Sequence, residues 1–552
     1  MMTMKRCKSC DSEVVLTSKF CHFCGNPIGQ ILSESPEPAS AKFAKNVTSK
    51  TTTDIRDKLQ STLFVVSSSF EETLQSLLAN AQCKAHGIVS CSDKTQMISA
   101  ARIVLRDSIK QVKYVVIIGD WDQVPPIVAP NPLTMDGDAH CLTDAPYACL
   151  ADYSAEDALT AVPVVPIGRI PTHDAEVVRR VLFETPKFRS VAESMLFAVS
   201  ASCWREATQE IVNQTLSRKQ RTDFCRSPDV LSRLPRGAVI TSPDWSHEDL
   251  EEKSNGKIVT PNGIMLFNVH GGADTTHWVG ESEEGEYPTI FTPTTVSDFN
   301  SSLIVCEACY GGALGYDEPS VVERFFSAGG VGFVGSSTIA YGSPTSQLCA
   351  ADVIASQFLL AFERGASIGE SLNTAKMELL ILDPLNDDIA KKTVLSFNLF
   401  GVPWHTMASA VANRAPLPPA TTRPVSLTAG SVLDRIRSRK NTNFSIEKPT
   451  LDEVRLSYQA RLPLQNQKFM LDAIEARRLI RGFSDYSHIN DLVTRWGGSV
   501  DDALLDFVSF DNTSGYRIFS KSKRTGREKG LLIVTLDPQG NIQQTLMSKE
   551  NI

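Results

Sequence analysis

A chain of 552 residues exceeds one ordinary domain; at ~150 residues per domain it should hold three or four units. Hydrophobic residues at 42% and charged residues at 21% sit near the globular average, which excludes a disordered or fibrous chain. Lys+Arg 55 against Asp+Glu 63 leave a net charge of −8, which argues against a general nucleic-acid coat or a polybasic membrane binder. No uninterrupted apolar run reaches ~18 residues, so no transmembrane helix is expected. Met1 to Cys10 carries no apolar stretch before a small-residue cleavage site, so a secretory signal is not expected either. The 13 cysteines, odd in number and thinly spread, read as reduced thiols of a cytoplasmic chain.

Cys7-Lys-Ser-Cys10 and Cys21-His-Phe-Cys24-Gly25 open the chain. Two C-x-x-C knuckles can each give two thiolates to one tetrahedral Zn²⁺, with the residues between them as a short hairpin; this doubled spacing favours zinc over two redox pairs. Residues 1–28 are therefore expected to form a zinc ribbon with Cys7, Cys10, Cys21 and Cys24 as ligands, a structural or docking module held by its metal. A Ser-, Thr-, Ala- and Lys-rich stretch follows, with Pro36 and Pro38, and 29–57 reads as a flexible linker.

From 58 to 415 strands and helices alternate. Leu63–Val66, Lys113–Gly119, Val162–Ile170, Gly263–Val269, Ser302–Cys306 and Gly330–Gly335 read as buried strands. Helical periods appear at Phe70–Ala81, Ala175–Leu182 and across Val191–Leu216. Continuous apolar strands between amphipathic helices mean an α/β, mostly parallel sheet covered on both faces. Pro416, Pro418, Pro419 and Pro424 make 416–430 a stiff linker. Residues 431–552 mix helical patterns (Ala473–Ile480, Val500–Phe507) with strands (Gly515–Phe519, Leu531–Leu536) and an Asp537-Pro-Gln-Gly540 turn before a last strand, a small α+β accessory domain. That piece carries roughly +4 against roughly −12 for the rest.

Two strand ends carry chemistry: Asn268-Val269-His270-Gly271-Gly272 and Glu307-Ala308-Cys309-Tyr310-Gly311-Gly312. Functional groups of an open parallel sheet collect at the carboxyl ends of its strands. A thiolate is a nucleophile and a nearby imidazole accepts its proton or stabilises its charge, so His270 and Cys309 pair as a candidate dyad. The amides of Gly271 and Cys309 lie next to the two reacting side chains and are expected to hold an oxyanion. Cys306, three residues earlier, falls on the opposite face and reads as core. His277 reads as a plain loop residue.

An apolar strand ending in His-Gly and another ending in Ala-Cys-x-Gly resemble the clan of caspase-like cysteine peptidases, and the gingipain branch (family C25) most. Leu63-Phe-Val-Val-Ser-Ser, Val115-Val-Ile-Ile-Gly-Asp120, Pro166-Ile-Gly-Arg-Ile-Pro171, Gly332-Phe-Val-Gly-Ser-Ser337 and Phe397-Asn-Leu-Phe-Gly401-Val-Pro403 resemble further landmarks of that branch, across roughly 60–410. Val402 stands where the family usually has a non-catalytic Asp. The resemblance implies a three-layer αβα sandwich and an endopeptidase acting through an acyl-enzyme, with no catalytic cofactor. It also implies that the residue two before the nucleophile lines the S1 pocket. Glu307 shares a face with Cys309, and Asn268 with His270, because residues i and i−2 of a strand point the same way. A Glu there favours Arg or Lys at P1. Asn at P1 is the counter-reading, and a third makes Glu307 a structural acid paired with a neighbouring Arg. Ser336, Ser337 and Tyr341 are candidate pocket walls, and Asp144, Asp152 or Asp157 a candidate pocket acid.

The expected function is an intracellular cysteine endopeptidase acting on a protein or peptide and restrained by a protein partner or by processing. The basic run Lys521–Lys529 reads as a solvated hairpin loop, or more sharply as a self-cleavage site or a site for an acidic partner. The rivals are a catalytically silent scaffold, with the ribbon binding protein or, less favoured, nucleic acid, and a transpeptidase that passes the acyl group to an amine.

Overall fold

The computed structural model describes residues 4–6, 13–15, most of 49–407, and 469–470, 479–510, 513–521 and 530–549. Within 49–407 it does not describe 92–95, 134–136, 151–161, 185–195, 216–238, 242–262, 274–275, 282–286, 294–302, 316–317 and 383–386. The chain divides into two compact units, Met1–Asp54 and Ile55–Ile552. In the first, Met4–Arg6 pairs antiparallel with Glu13–Val15. The four knuckle cysteines lie outside the described residues, as do Asp152, Asp157 and 522–529.

The second unit is built on a ten-stranded sheet. Its strands are β1 (Thr62–Ser67), β2 (Gly87–Cys91), β3 (Tyr114–Ile118), β4 (Ile167–Ile170), β5 (Leu196–Ser200), β6 (Val239–Thr241), β7 (Ile264–Asn268), β8 (Leu303–Cys306), β9 (Gly332–Ser336) and β11 (Phe397–Gly401). Across the sheet they run β6-β5-β7-β8-β9-β11-β4-β3-β1-β2. Every neighbouring pair is parallel except β9 and β11, so two parallel halves meet head to tail at that one junction. Both faces are covered, which makes the expected three-layer sandwich. On one face Phe64, Val66, Phe267, Ile304 and Cys306 pack against the helices Glu71–Asn80, Ala175–Phe183 and Val321–Ser327. On the other, Leu266, Val305, Cys309 and Val334 face Arg205–Thr215, Ala350–Glu363 and Ile368–Leu382. Cys306 and Cys309 therefore belong to opposite faces, as strand alternation requires.

Five stretches differ from the sequence expectation. Val191–Leu216 is not one helical region: β5 occupies 196–200 and a helix only 205–215. A five-residue run such as Leu196-Phe-Ala-Val-Ser200, paired between two strands, has no polar periodicity to separate it from a buried helix turn. Val500–Phe507 is a short 3₁₀ turn at 500–502 followed by a strand from 504, because its partner 513–521 supplies an antiparallel ladder. The sheet does not close at 330–335: β11 adds a late strand at its centre. The helix Ser49–Gln60 starts inside the stretch expected to be linker, and β4 begins only at Ile167.

A second sheet carries the C-terminal strands. Phe469–Met470 (β12), Leu504–Phe510 (β13), Thr513–Lys521 (β14), Leu531–Leu536 (β15) and Ile542–Ser548 (β16) run antiparallel in sequence order, the last two joined by the Asp537–Gly540 turn. Its far edge is Tyr341–Gly342 (β10), which belongs to the segment just after β9. β16 is thereby stitched onto the body that carries His270 and Cys309.

Candidate active site

β7 and β8 are hydrogen-bonded neighbours in register, Phe267 opposite Cys306, so both chain segments leave the sheet at the same edge. His270 follows β7 and Cys309 follows β8; each is almost wholly buried, at 1% exposure. The segments touch: a Cβ on Gly271 would stand 2.1 Å from the Cys309 carbonyl oxygen and 3.3 Å from the Ala308 Cβ. Only glycine permits this approach, which is why the His-Gly pair can lie against the Cys309 backbone. Tyr310 turns the chain with φ at 54°, and its hydroxyl donates to Asp138. The Cys309 thiol rests on Ala340: the Ala340 amide donates to Sγ at 3.2 Å, and Sγ in turn reaches the Ala340 carbonyl at 3.6 Å.

His270 is oriented by an acid that sequence reasoning missed. Its Nε2 lies 3.0 Å from Oε2 of Glu281, brought back by the bridge His270↔Val279. Burial acts to raise the Glu281 carboxyl, but the bond and charge of His270, with bonds from Cys203 and Tyr287, outweigh it and hold the group below the usual carboxylate range. The ring is boxed by Trp204 at 4.4 Å and by Tyr287 edge-on at 5.4 Å. Cys203, His270 and Glu281 form the one group among the described residues whose ligand atoms converge closely enough for a metal, within 4.8 Å. These three side chains already engage one another, and burial followed by the Glu281 charge pushes the Cys203 thiol up.

The space beside His270 and Cys309 is filled by the chain itself. Lys549 follows β16, and its Nζ donates to Asn268 Oδ1 at 2.6 Å, Glu307 Oε2 at 2.5 Å and Asp352 Oδ1 at 3.0 Å. All four residues are wholly buried. Burial opposes the Lys549 charge, yet Asp352 and Glu307 raise its pKa, so it is an ammonium. Burial acts to raise the Glu307 pKa and Asp352 adds to the rise, while the Lys549 ammonium pulls it back. Trp204 lies 5.3 Å under the ammonium. Along the backbone, Ser548 pairs with Tyr341 and Met547 with Gly342, the Lys549 amide donates to the Ala340 carbonyl at 2.8 Å, and the Gly271 amide donates to the Lys549 carbonyl at 3.1 Å.

Of the residues marked from sequence, His270, Gly271, Cys309, Asn268 and Glu307 therefore meet in one place. Tyr341 contributes through its backbone at the groove edge, its own ring lying under the Lys392 ammonium. Ser336 and Ser337 take no part in these contacts: the Ser336 hydroxyl closes a turn onto the Thr338 carbonyl, and Ser337 bonds Leu142. Glu307 pairs with a lysine and not the neighbouring arginine considered as its structural partner. Asp144 is not the pocket acid; it forms a two-pronged ion pair with buried Arg169 at 2.6 and 2.7 Å. The second acid that meets Glu307 at Lys549 is Asp352, on the first turn of the helix 350–363, which also accepts from the Ser343 amide at 2.6 Å. His277 is half-buried before the strand Trp278–Val279. No local pattern marked Asp352 or Lys549. Glu281 stood within the acidic run Glu281–Glu286, eleven residues after the histidine, but nothing singled it out.

No curated protein matches this chain. Among solved structures, the crystal structure of the Arg-specific cysteine proteinase gingipain R (RgpB) is similar, at 11% identity and a TM-score of 0.45 over 63% of this chain and 78% of that one. The complex of Porphyromonas gingivalis RgpB pro- and mature domains is similar at 12% identity and a TM-score of 0.43, over 63% and 79% of the two chains. A further structure described as a protease covers 88% of this chain and 96% of its own at 11% identity and a TM-score of 0.41. The family model of peptidase family C25 matches residues 86–408, more than half of the chain and both strand ends described above. The chain belongs to peptidase family C25 and is a caspase-like cysteine peptidase.

Proposed function

We propose that the protein is an endopeptidase that hydrolyses peptide bonds after Lys or Arg, with Cys309 as nucleophile and His270 as its proton partner. With Nε2 on Glu281, Nδ1 is the ring nitrogen that takes the thiol proton, and Glu281 keeps the imidazole in that orientation and supports its positive form. The Gly271 amide holds the carbonyl oxygen as it becomes an oxyanion, and the Cys309 amide is its expected second donor. The Ala340 amide steadies the thiolate. Cys309 Sγ attacks the scissile carbonyl, the amine leaves with the proton carried by His270, and water hydrolyses the thioester.

The observation that carries the basic P1 preference is the buried Asn268, Glu307 and Asp352 set around the Lys549 ammonium. Two buried carboxylates without a cation would be costly, so such a pocket selects a charged basic side chain over Asn or Asp. A fluorogenic peptide series varied at P1, on wild type and Cys309→Ala, tests this. Cleavage after Lys or Arg that disappears in the variant is expected; cleavage after Asn or Asp refutes the pocket assignment.

A reducing, intracellular compartment fits the thinly spread thiols, and no helix among the described residues is long and apolar enough to cross a membrane. The zinc ribbon of Cys7, Cys10, Cys21 and Cys24 rests on spacing. Its test is one zinc per chain by elemental analysis, lost in Cys7→Ser/Cys10→Ser; a chain that binds no zinc rules the ribbon out.

A further inference from the structure

We infer that the end of β16 is bound as a substrate of the chain's own active site, with Lys549 at P1 and Ser548 at P2, and that the Lys549–Glu550 bond is a self-processing site. The inference rests on the peptidase reading above and goes beyond it: the first substrate lies in the chain itself, and while it is bound the groove is closed to other peptides.

A lysine that merely docks one module on another needs only its side chain. Lys549 is held at three points that a substrate would use. Its ammonium fills the acidic pocket beside the candidate nucleophile, with 2.5–3.0 Å bonds to Glu307, Asn268 and Asp352. Its amide donates to Ala340, the same residue whose amide bonds the Cys309 thiol. Its carbonyl accepts from Gly271, next to His270. Upstream, Ser548 and Met547 extend the antiparallel pairing onto Tyr341 and Gly342, the way an extended peptide adds a strand to an open edge. The pocket is shaped around the lysine stem: a Cβ on Gly342 would stand 2.2 Å from Lys549 Cε and 2.7 Å from Asp352 Oδ1.

The chemistry follows from this placement. Cys309 Sγ bonds to the Lys549 carbonyl carbon as the bond to the Glu550 nitrogen breaks, and the thiol proton passes through His270 to the departing amine. Water then cleaves the thioester, leaving Lys549 with a free carboxylate and Cys309 again a thiol.

The test follows intact mass, turnover of a peptide with Lys at P1, and labelling of Cys309 by a lysyl acyloxymethyl ketone. The proteins are wild type, Cys309→Ala, Lys549→Ala and Lys549→Gln, the last keeping the stem and a donor in case the alanine variant fails to fold. Wild type should lose the residues after Lys549, and Cys309→Ala should stay intact. The Lys549 variants should stay intact while turning over external peptide at least tenfold faster than unprocessed wild type. A wild type that labels and cleaves peptides yet stays intact at Lys549, with Lys549 variants no faster, overturns this inference and leaves the peptidase reading standing. Folded Lys549 variants that neither label nor cleave overturn both.

Discussion

Gly271 lies where two strand ends meet, and Gly271→Ala tests that juxtaposition directly. The new Cβ would stand 2.1 Å from the Cys309 carbonyl oxygen, a backbone atom that cannot rotate aside. A Cβ needs about 3 Å from such an oxygen, so the segments carrying His270 and Cys309 must part by roughly 1 Å. A displacement of that size costs about 10²-fold in rate. The same shift moves the amide that holds the Lys549 carbonyl at 3.1 Å, and loss of one oxyanion donor costs about 10²–10³-fold. We therefore expect kcat/KM for a Lys-P1 peptide to fall by about 10²–10³, equivalent to roughly 3–4 kcal/mol of barrier. Overpacking of this kind costs folding about 1–3 kcal/mol. Turnover should be measured beside thermal melts, in wild type and in the Lys549→Gln background where the occupant does not mask the site. A variant with an unchanged melt and wild-type kcat/KM would refute both the contact and the oxyanion role.

Glu307→Gln removes one of the two pocket charges while keeping its shape; kcat/KM for Lys-P1 peptides should fall by roughly 10–10²-fold with the loss of a charge-assisted bond, and an unchanged P1 profile would count against the pocket. Glu281→Gln should lower kcat by about 10²-fold with KM nearly unchanged, because it acts through His270; a change in KM alone would place it in substrate binding. Gly342→Ala intrudes on the lysine stem, so peptides with Lys at P1 should lose far more kcat/KM than peptides with a small P1 residue; equal losses would mean a general disturbance. His405 is held neutral, its pKa pushed down to about 3 by burial and then by the Lys58 charge. The unfolded chain takes up this proton near 6.5 and the folded chain refuses it, so stability is full above pH 6.5 and drains as pH falls toward 3. The loss is on the order of 5 kcal/mol, and acid titration of the melting temperature should be shallower in His405→Asn; an identical slope would refute the assignment.

Sequence alone identified the alternating α/β body and marked His270 and Cys309 at the ends of neighbouring strands, because both are local properties of strands. A buried parallel strand is a continuous apolar run, and its reactive residue sits at its carboxyl end. Face-sharing at i and i−2 brought Asn268 and Glu307 to the same place and kept Cys306 in the core. The same rule stops where a segment's state depends on its neighbours: 196–200 and 504–510 are strands because partners pair with them, and the central place of β11 follows from the junction of the two half-sheets. Residues that complete the site lay further still beyond reach. Glu281 returns on a hairpin, Asp352 comes from a helix start, and Lys549 arrives 242 residues after Glu307, just past a strand of another sheet. A pocket is closed by contacts between distant segments, and nothing in the residues beside Lys549 states which carboxylates it will meet. Composition and periodicity describe what each segment is; only the packing of the sheets decides that β16 ends against the segments that carry His270 and Cys309.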